Sequence, residues 1–178
     1  MKAALTGVVF AAALVACSAV AQGGDPNAVA GGFYRVYSTF QPSDGIPDAK
    51  GRAKYAPFFS DGLNALIAQA GAAEDKFGGA HKDSPPLVEG DLFTSNFEGA
   101  TSFMVAPCSV SGGTARCKVA LVYQSGNDKA LNWTDMLLLT QTGKGWAVDD
   151  IYYGGSWAFG NKGSLVDTLK HVISDTGG

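Results

Sequence analysis

The chain has 178 residues, with 13 Lys and Arg against 16 Asp and Glu and a formal net charge of −3 at pH 7. That acidic balance argues against nucleic acid or an anionic membrane face as a partner, because both select for excess positive charge. Apolar residues make up 46% and charged residues 16%, which suits one globular domain once the N-terminus is set aside.

The N-terminus reads as a secretory signal. Lys2 supplies the positive start, residues 3–16 are apolar apart from Thr6 and Gly7, and small residues follow. A membrane span needs about 20 apolar residues, and this run is shorter. Two cleavage patterns compete. Ala19-Val20-Ala21 before Gln22 fits ordinary signal peptidase, whereas Leu14-Val15-Ala16-Cys17 resembles a lipobox, whose cysteine becomes the lipidated first residue. Cys108 and Cys117 can pair with each other and leave Cys17 odd. Lipidation would give that thiol a role, and removal with the signal would dispose of it; the arithmetic leans to the lipid anchor. The expected organisation is a signal over residues 1–21 and a single exported, periplasmic domain over residues 22–178. Loss of Lys2 with the signal leaves that domain one charge more acidic.

The domain opens with a helix. Asp25 is a good N-cap with Pro26 at the first helical position, and Val29, Phe33, Val36, Tyr37 and Phe40 form one stripe at helical spacing. Pro42 and the polar run after it stop the helix. Pro57 splits the next segment into a short helix near residues 51–55 and a longer one from about Ser60. Leu63, Leu66, Ile67, Ala70 and Phe77 give the longer helix its buried side, and Gly78-Gly79 is expected to end it. Residues 80–99 turn polar and Pro-rich and read as a long loop wrapped over the domain. His81, Asp83, Glu89 and Asp91 lie there, but their spacing matches no ligand motif, so no metal is expected. No fingerprint of a cofactor is present either, and none is expected.

Two hairpins follow. If Gly112-Gly113 is a two-residue loop, Cys108 stands opposite Cys117 at a non-hydrogen-bonded site, with Cα atoms about 4.5 Å apart. Pro107 has no N–H for the neighbouring position, so the ladder must end there or shift by a bulge. Met104, Ala106, Val119, Leu121 and Tyr123 share the cysteine face and are expected in the core. In the second hairpin, two strand-like runs flank Thr142-Gly143-Lys144-Gly145. A two-residue loop there sets Leu139 opposite Val148, Leu137 opposite Asp150 and Asp135 opposite Tyr152, with Met136, Leu138, Ala147 and Ile151 on the other face. Both faces are then largely apolar and both need cover. A final helix starts at Ser164, which with Asp167 resembles a capping box, and carries Leu165, Val166, Leu169, Val172 and Ile173 as its apolar face. Helices followed by antiparallel strands imply an α+β domain: N-terminal helices on a curved sheet built from two hairpins, with a C-terminal helix.

Three stretches carry a resemblance: FYRVY at 33–37, WTDMLLL at 133–139 and GWAVDDIYYG at 145–154. They are similar to an uncharacterised bacterial family of exported proteins and lipoproteins that includes the YbjP lipoprotein. The resemblance covers most of the domain and is sharpest at 133–154. It implies a cystatin-like or nuclear-transport-factor-like cone, in which a helix rests in a bent antiparallel sheet. Such cones host enzymes, binding modules and inhibitors, so the resemblance speaks to architecture more than to activity.

Two functional readings follow. Asp135 and Asp150 on one face near Tyr152 would make a carboxylate pair for acid–base work on a small molecule in the cone. The alternative, that these acids cap strand ends or accept backbone hydrogen bonds, is preferred, because no nucleophile elbow, Cys–His couple or phosphate loop accompanies them. The second reading is a non-catalytic binding module. Tyr152, Tyr153, Trp157 and Phe159 are separated by glycines after a strand, and they either anchor a ligand at the surface or fold back to close the cone. The expected partner is an envelope protein, a peptide or glycan, or a second copy of the chain. By analogy with immunity-type proteins of similar look, inhibition of an envelope enzyme is one form of such binding.

Overall fold

The computed structural model describes residues 24–39 and 45–176. The expected signal, both cleavage patterns, Cys17, Phe40 and Pro42 lie outside the described residues. Helix α1 (Pro26–Thr39) starts where Asp25 accepts the Asn27 amide at 3.0 Å. Helix α2 (Ala49–Tyr55) is capped by Asp48, and a 3₁₀ turn at Ala56–Phe58 leads to α3 (Asp61–Ala80), capped by Ser60. Five strands follow, β1 (Ser102–Val105), β2 (Ser109–Ser111), β3 (Thr114–Tyr123), β4 (Leu131–Thr142) and β5 (Gly145–Tyr152), then α4 (Leu165–Asp175). The domain is α+β, with an antiparallel sheet in the order β1-β3-β4-β5 and β2 also paired to β3.

One sheet face meets α1. Val119, Leu121, Leu137, Leu139, Val148 and Ile151 are buried there against Val29, Phe33, Tyr34 and Tyr37. Phe33 is the hub of an aromatic cluster, with ring centroids 5.4 Å from Phe59 and 5.5 Å from Phe93, and Tyr55 lies 4.9 Å from Phe93. α3 and α4 pack on each other beside β5. The outer edge of β5 is covered at both ends: Phe59 bridges Val148, and Ser164 bridges Tyr152. An edge closed in this way offers no ladder to another chain.

The tips of both hairpins follow the sequence expectation, and each ladder then shifts by one residue. Ser109 faces Arg116 and Ser111 faces Thr114, across Gly112 and Gly113, whose φ values of 53° and 81° suit a tight two-residue turn. Cys108 and Cys117 form a disulfide with Cα atoms 4.2 Å apart. Beyond Pro107 the pairing moves to Val105 with Val119 and Met104 with Ala120. A one-residue shift exchanges the faces. Met104, expected in the core, is therefore 67% exposed, while Phe103 and Val105 turn inward; Ala106 and Tyr123 are only half-buried.

In the second hairpin Leu139 faces Val148 as expected, but Leu138 then faces Asp150, Leu137 faces Ile151 and Met136 faces Tyr152. The expected pairs of Leu137 with Asp150 and Asp135 with Tyr152 do not form, and Ile151 moves into the core. Asp149 is the extra residue, held by a 2.6 Å hydrogen bond from the Ser60 hydroxyl, while the Ser60 amide donates to the Val148 carbonyl at 2.9 Å. The α3 cap thus docks on the bulge. Without that extra residue Val148 and Ile151 would point to opposite faces; with it they share one. The other face keeps Met136, Leu138 and Tyr152 beside Arg116 and Lys118. Two smaller differences concern α3, which runs through Gly78-Gly79 to Ala80, and the polar loop, whose residues 90–96 are buried.

The shifted registers make opposite demands on two apolar residues. Ile151→Ala should cost roughly 2–5 kcal/mol, and Met104→Ala should stay within about 0.5 kcal/mol of wild type, both read by denaturant unfolding. The reverse ranking, with Met104→Ala the costlier change, would return the strands to the unshifted pairing. Cys108→Ser should lower the melting temperature, by no more than about 2–3 kcal/mol of stability for so short a closed loop. Two free thiols in unreduced, denatured protein would exclude the bridge.

Candidate functional site

A loop can run through a core only if its backbone polar groups find partners. Residues 90–96 do so largely through side chains, among them Asp91, Tyr153, Asn161 and Asp135. Asp91 folds back on its own loop, with Oδ1 accepting the Phe93 amide at 2.7 Å and the Thr94 amide at 2.8 Å. Asn161 donates to the carbonyls of Asp91 and Thr94 at 2.6 and 2.7 Å, and the Tyr153 hydroxyl donates to the Leu92 carbonyl at 2.6 Å. The second Asp91 oxygen accepts the Tyr37 hydroxyl at 2.7 Å, and that hydroxyl accepts the Ala100 amide at 2.8 Å. Asp91 is only 2% exposed. Burial pushes its carboxyl up to about 7, against the pull of the Tyr37, Phe93 and Thr94 bonds. Burial and then the Asp91 charge push Tyr37 and Tyr55 well above the usual phenol range.

Asp135 is the second centre. It lies on the α1-facing side of β4 and accepts four hydrogen bonds: the Ser95 amide at 2.8 Å, the Ser95 hydroxyl, the Trp133 indole at 3.0 Å and the Gly154 amide at 2.8 Å. Asp150 has a different task. It faces Leu138 on the opposite side of the hairpin and accepts the amides of Ile151 at 2.8 Å and Val166 at 3.0 Å, the latter in the first turn of α4. The bulge therefore sets the two acids on opposite faces of the hairpin, each with its own donors.

The segment after β5 rests on these groups. The Gly155 amide donates to the Ser95 hydroxyl at 2.9 Å and the Asn161 amide to the Ser95 carbonyl at 2.8 Å. Lys162 reaches back to the carbonyls of Gly155 and Trp157, at 3.1 and 2.6 Å. Trp157 is half-buried and meets Trp133 edge-on at 5.5 Å. Its ring fills the space where a Cβ on Gly155 or Gly160 would stand, 2.7 and 2.8 Å away, so only glycine fits at either position. Tyr153 is half-buried with its hydroxyl engaged, Tyr152 is 42% exposed, and Phe159 is 90% exposed.

The geometry divides the aromatic residues singled out from sequence. Trp157 and Tyr153 hold the segment, and Phe159 and Tyr152 face outward from it. Asp91, Ser95 and Asn161 were not singled out as functional, although Asp followed by Phe and Thr at the second and third positions is an Asx-turn pattern. Among the described residues no group of three or more His, Cys, Asp and Glu is placed to hold a metal, and no helix is long and apolar enough to cross a membrane. No family model, no curated protein and no solved structure matches the chain.

The raised Asp91 carboxyl has a signed consequence for stability. Its ordinary value is 3.8 and its folded value about 7, so the unfolded chain releases this proton first as the pH rises. The contribution of Asp91 is complete below about 3.8 and is lost as pH climbs through about 7. The slope is at most about 1.4 kcal/mol per pH unit. Asp91→Asn should remove that slope from the wild-type curve when unfolding is measured between these limits. Parallel curves for the two proteins would show that the buried carboxyl does not titrate in this range.

Proposed function

We propose that the protein is a non-catalytic binding module of the bacterial envelope that holds a protein partner through the aromatic segment after β5. The observation that carries this reading is Phe159, 90% exposed on a segment fixed at its Gly154, Gly155, Asn161 and Lys162 positions. A large apolar ring displayed on an ordered backbone is a preorganised anchor, because little conformational freedom is left to lose on binding. Tyr152 adds a second exposed aromatic at the end of β5.

The acid–base reading is the weaker one. Asp135 has four internal donors and Asp150 Oδ1 accepts the Ile151 and Val166 amides, which favours a structural role for both acids. Export is part of the proposal: a signal within residues 1–21, with cleavage before Cys17 and a lipid anchor on it as the favoured processing. The Cys108–Cys117 disulfide supports it, since such bonds persist in oxidising compartments. The resemblance to exported lipoproteins of the YbjP type points the same way, and an immunity-like role, blocking an envelope enzyme, is the form of binding that it suggests.

A photoreactive phenylalanine analogue in place of Phe159, expressed in the full-length chain and activated in the intact envelope, tests the reading. One discrete protein adduct is expected, suppressed by excess wild-type chain. With that partner purified, Phe159→Ala should weaken binding by about tenfold or more while changing stability by less than about 0.5 kcal/mol. Absence of any adduct, or an Ala variant that unfolds, would sink the proposal, and an adduct with a second copy would assign the segment to self-association.

A further inference from the structure

A cavity of about 230 Å³ opens between α2, the 3₁₀ turn and α3. Its walls include Tyr55, Phe59, Ile67 and Phe93, side chains that belong to the aromatic core. Asn64 lines it too, but its amide nitrogen is engaged by the carbonyls of Ala56 and Phe59, at 3.0 and 3.2 Å. Arg52 is the one charged residue of the lining. Its Nη1 donates to the Pro47 carbonyl at 3.0 Å and lies over Gly71, where a Cβ would stand 2.9 Å from it. Among the described residues no carboxylate pairs with this guanidinium. An apolar chamber with a single planar cation and no acid selects a ligand with a body of carbon and a head of one negative charge.

We infer that this cavity binds a small monocarboxylate with an aryl or short alkyl body. At about 30 Å³ for a water in the liquid, the volume equals that of roughly eight waters, room for an acid with a single ring. The carboxylate sits on the Arg52 fork, and the body lies against Phe59, Ile67 and Phe93. Gly71 is a positioning residue, since its missing side chain leaves room for the guanidinium. The inference is independent of the aromatic segment after β5, and either can fail without the other.

Benzoate, with benzyl alcohol as its uncharged counterpart, is the probe, titrated into the full folded domain while amide and methyl NMR shifts are followed. Saturable shifts confined to α2, α3 and Phe93 are expected, with benzoate bound roughly tenfold more tightly than benzyl alcohol. Arg52→Gln should remove that difference. Gly71→Ala keeps the charge but displaces it, so it should weaken benzoate several-fold in a protein at least as stable as wild type, given the better helix propensity of Ala. No saturation at millimolar benzoate, equal binding of the two probes, or benzoate affinity unchanged in both variants would each overturn the assignment.

Discussion

The Asp135 carboxylate is the constraint on which the rest of the structure depends. It joins three segments far apart in sequence: β4, through its own backbone and the Trp133 indole, the buried loop through Ser95, and the turn after β5 through Gly154. A carboxylate 1% exposed is tolerable only because its lone pairs are filled. Removing any one donor leaves charge density without a partner, so the segments hold or fail together. Asp91 extends the same logic to α1 through Tyr37, and Asn161 ties the loop to the segment after β5. A polar seam therefore runs through an otherwise aromatic core, and it ties α1 to the buried loop through the Tyr37 hydroxyl.

That seam decides what the surface offers. The segment after β5 has no helix or strand of its own, yet its backbone is held by Ser95, Asp135 and Lys162 and by the wedge of Trp157 between two glycines. Order without secondary structure leaves ring orientation to the packing of neighbours. Trp157 is drawn in by Trp133, and Phe159, two residues on, is left in solvent. One seated indole and one displayed phenyl are thus two results of the same local geometry.

Local signals were legible in the sequence, and parity was not. Asp25 with Pro26 and Ser164 with Asp167 mark helix starts because capping is satisfied within one turn, and the structure begins α1 and α4 there. The Gly112-Gly113 and Gly143-Lys144 turns set the hairpin tips for the same reason. The misplaced faces of Met104 and Ile151 come from single extra residues at Pro107 and Asp149. Asp149 is inserted where the Ser60 cap docks, a contact across most of the domain that no window of sequence contains. The Pro107 shift was open to inference, since a missing N–H must break the ladder, but its direction depends on which face Phe103 can fill. The buried loop was hidden by its composition. Asp91, Thr94, Ser95 and Asn96 look solvated until their partners are known, and those partners are Tyr37, Asp135, Gly99 and Asn161.

The distribution of free and engaged groups also weighs binding against catalysis. Acid–base chemistry needs a carboxyl that exchanges its proton with a substrate, so it must be both tuned and reachable. Asp91 is tuned by burial but sealed beneath its own loop, while Asp135 and Asp150 are engaged by backbone and side-chain donors. Two groups of another kind stand out: the Phe159 ring in solvent, and Arg52, which lines the apolar chamber beside α3. In the reading proposed above, both would act by shape, apolar area and charge rather than by bond chemistry, and such recognition works best when the groups behind it do not move.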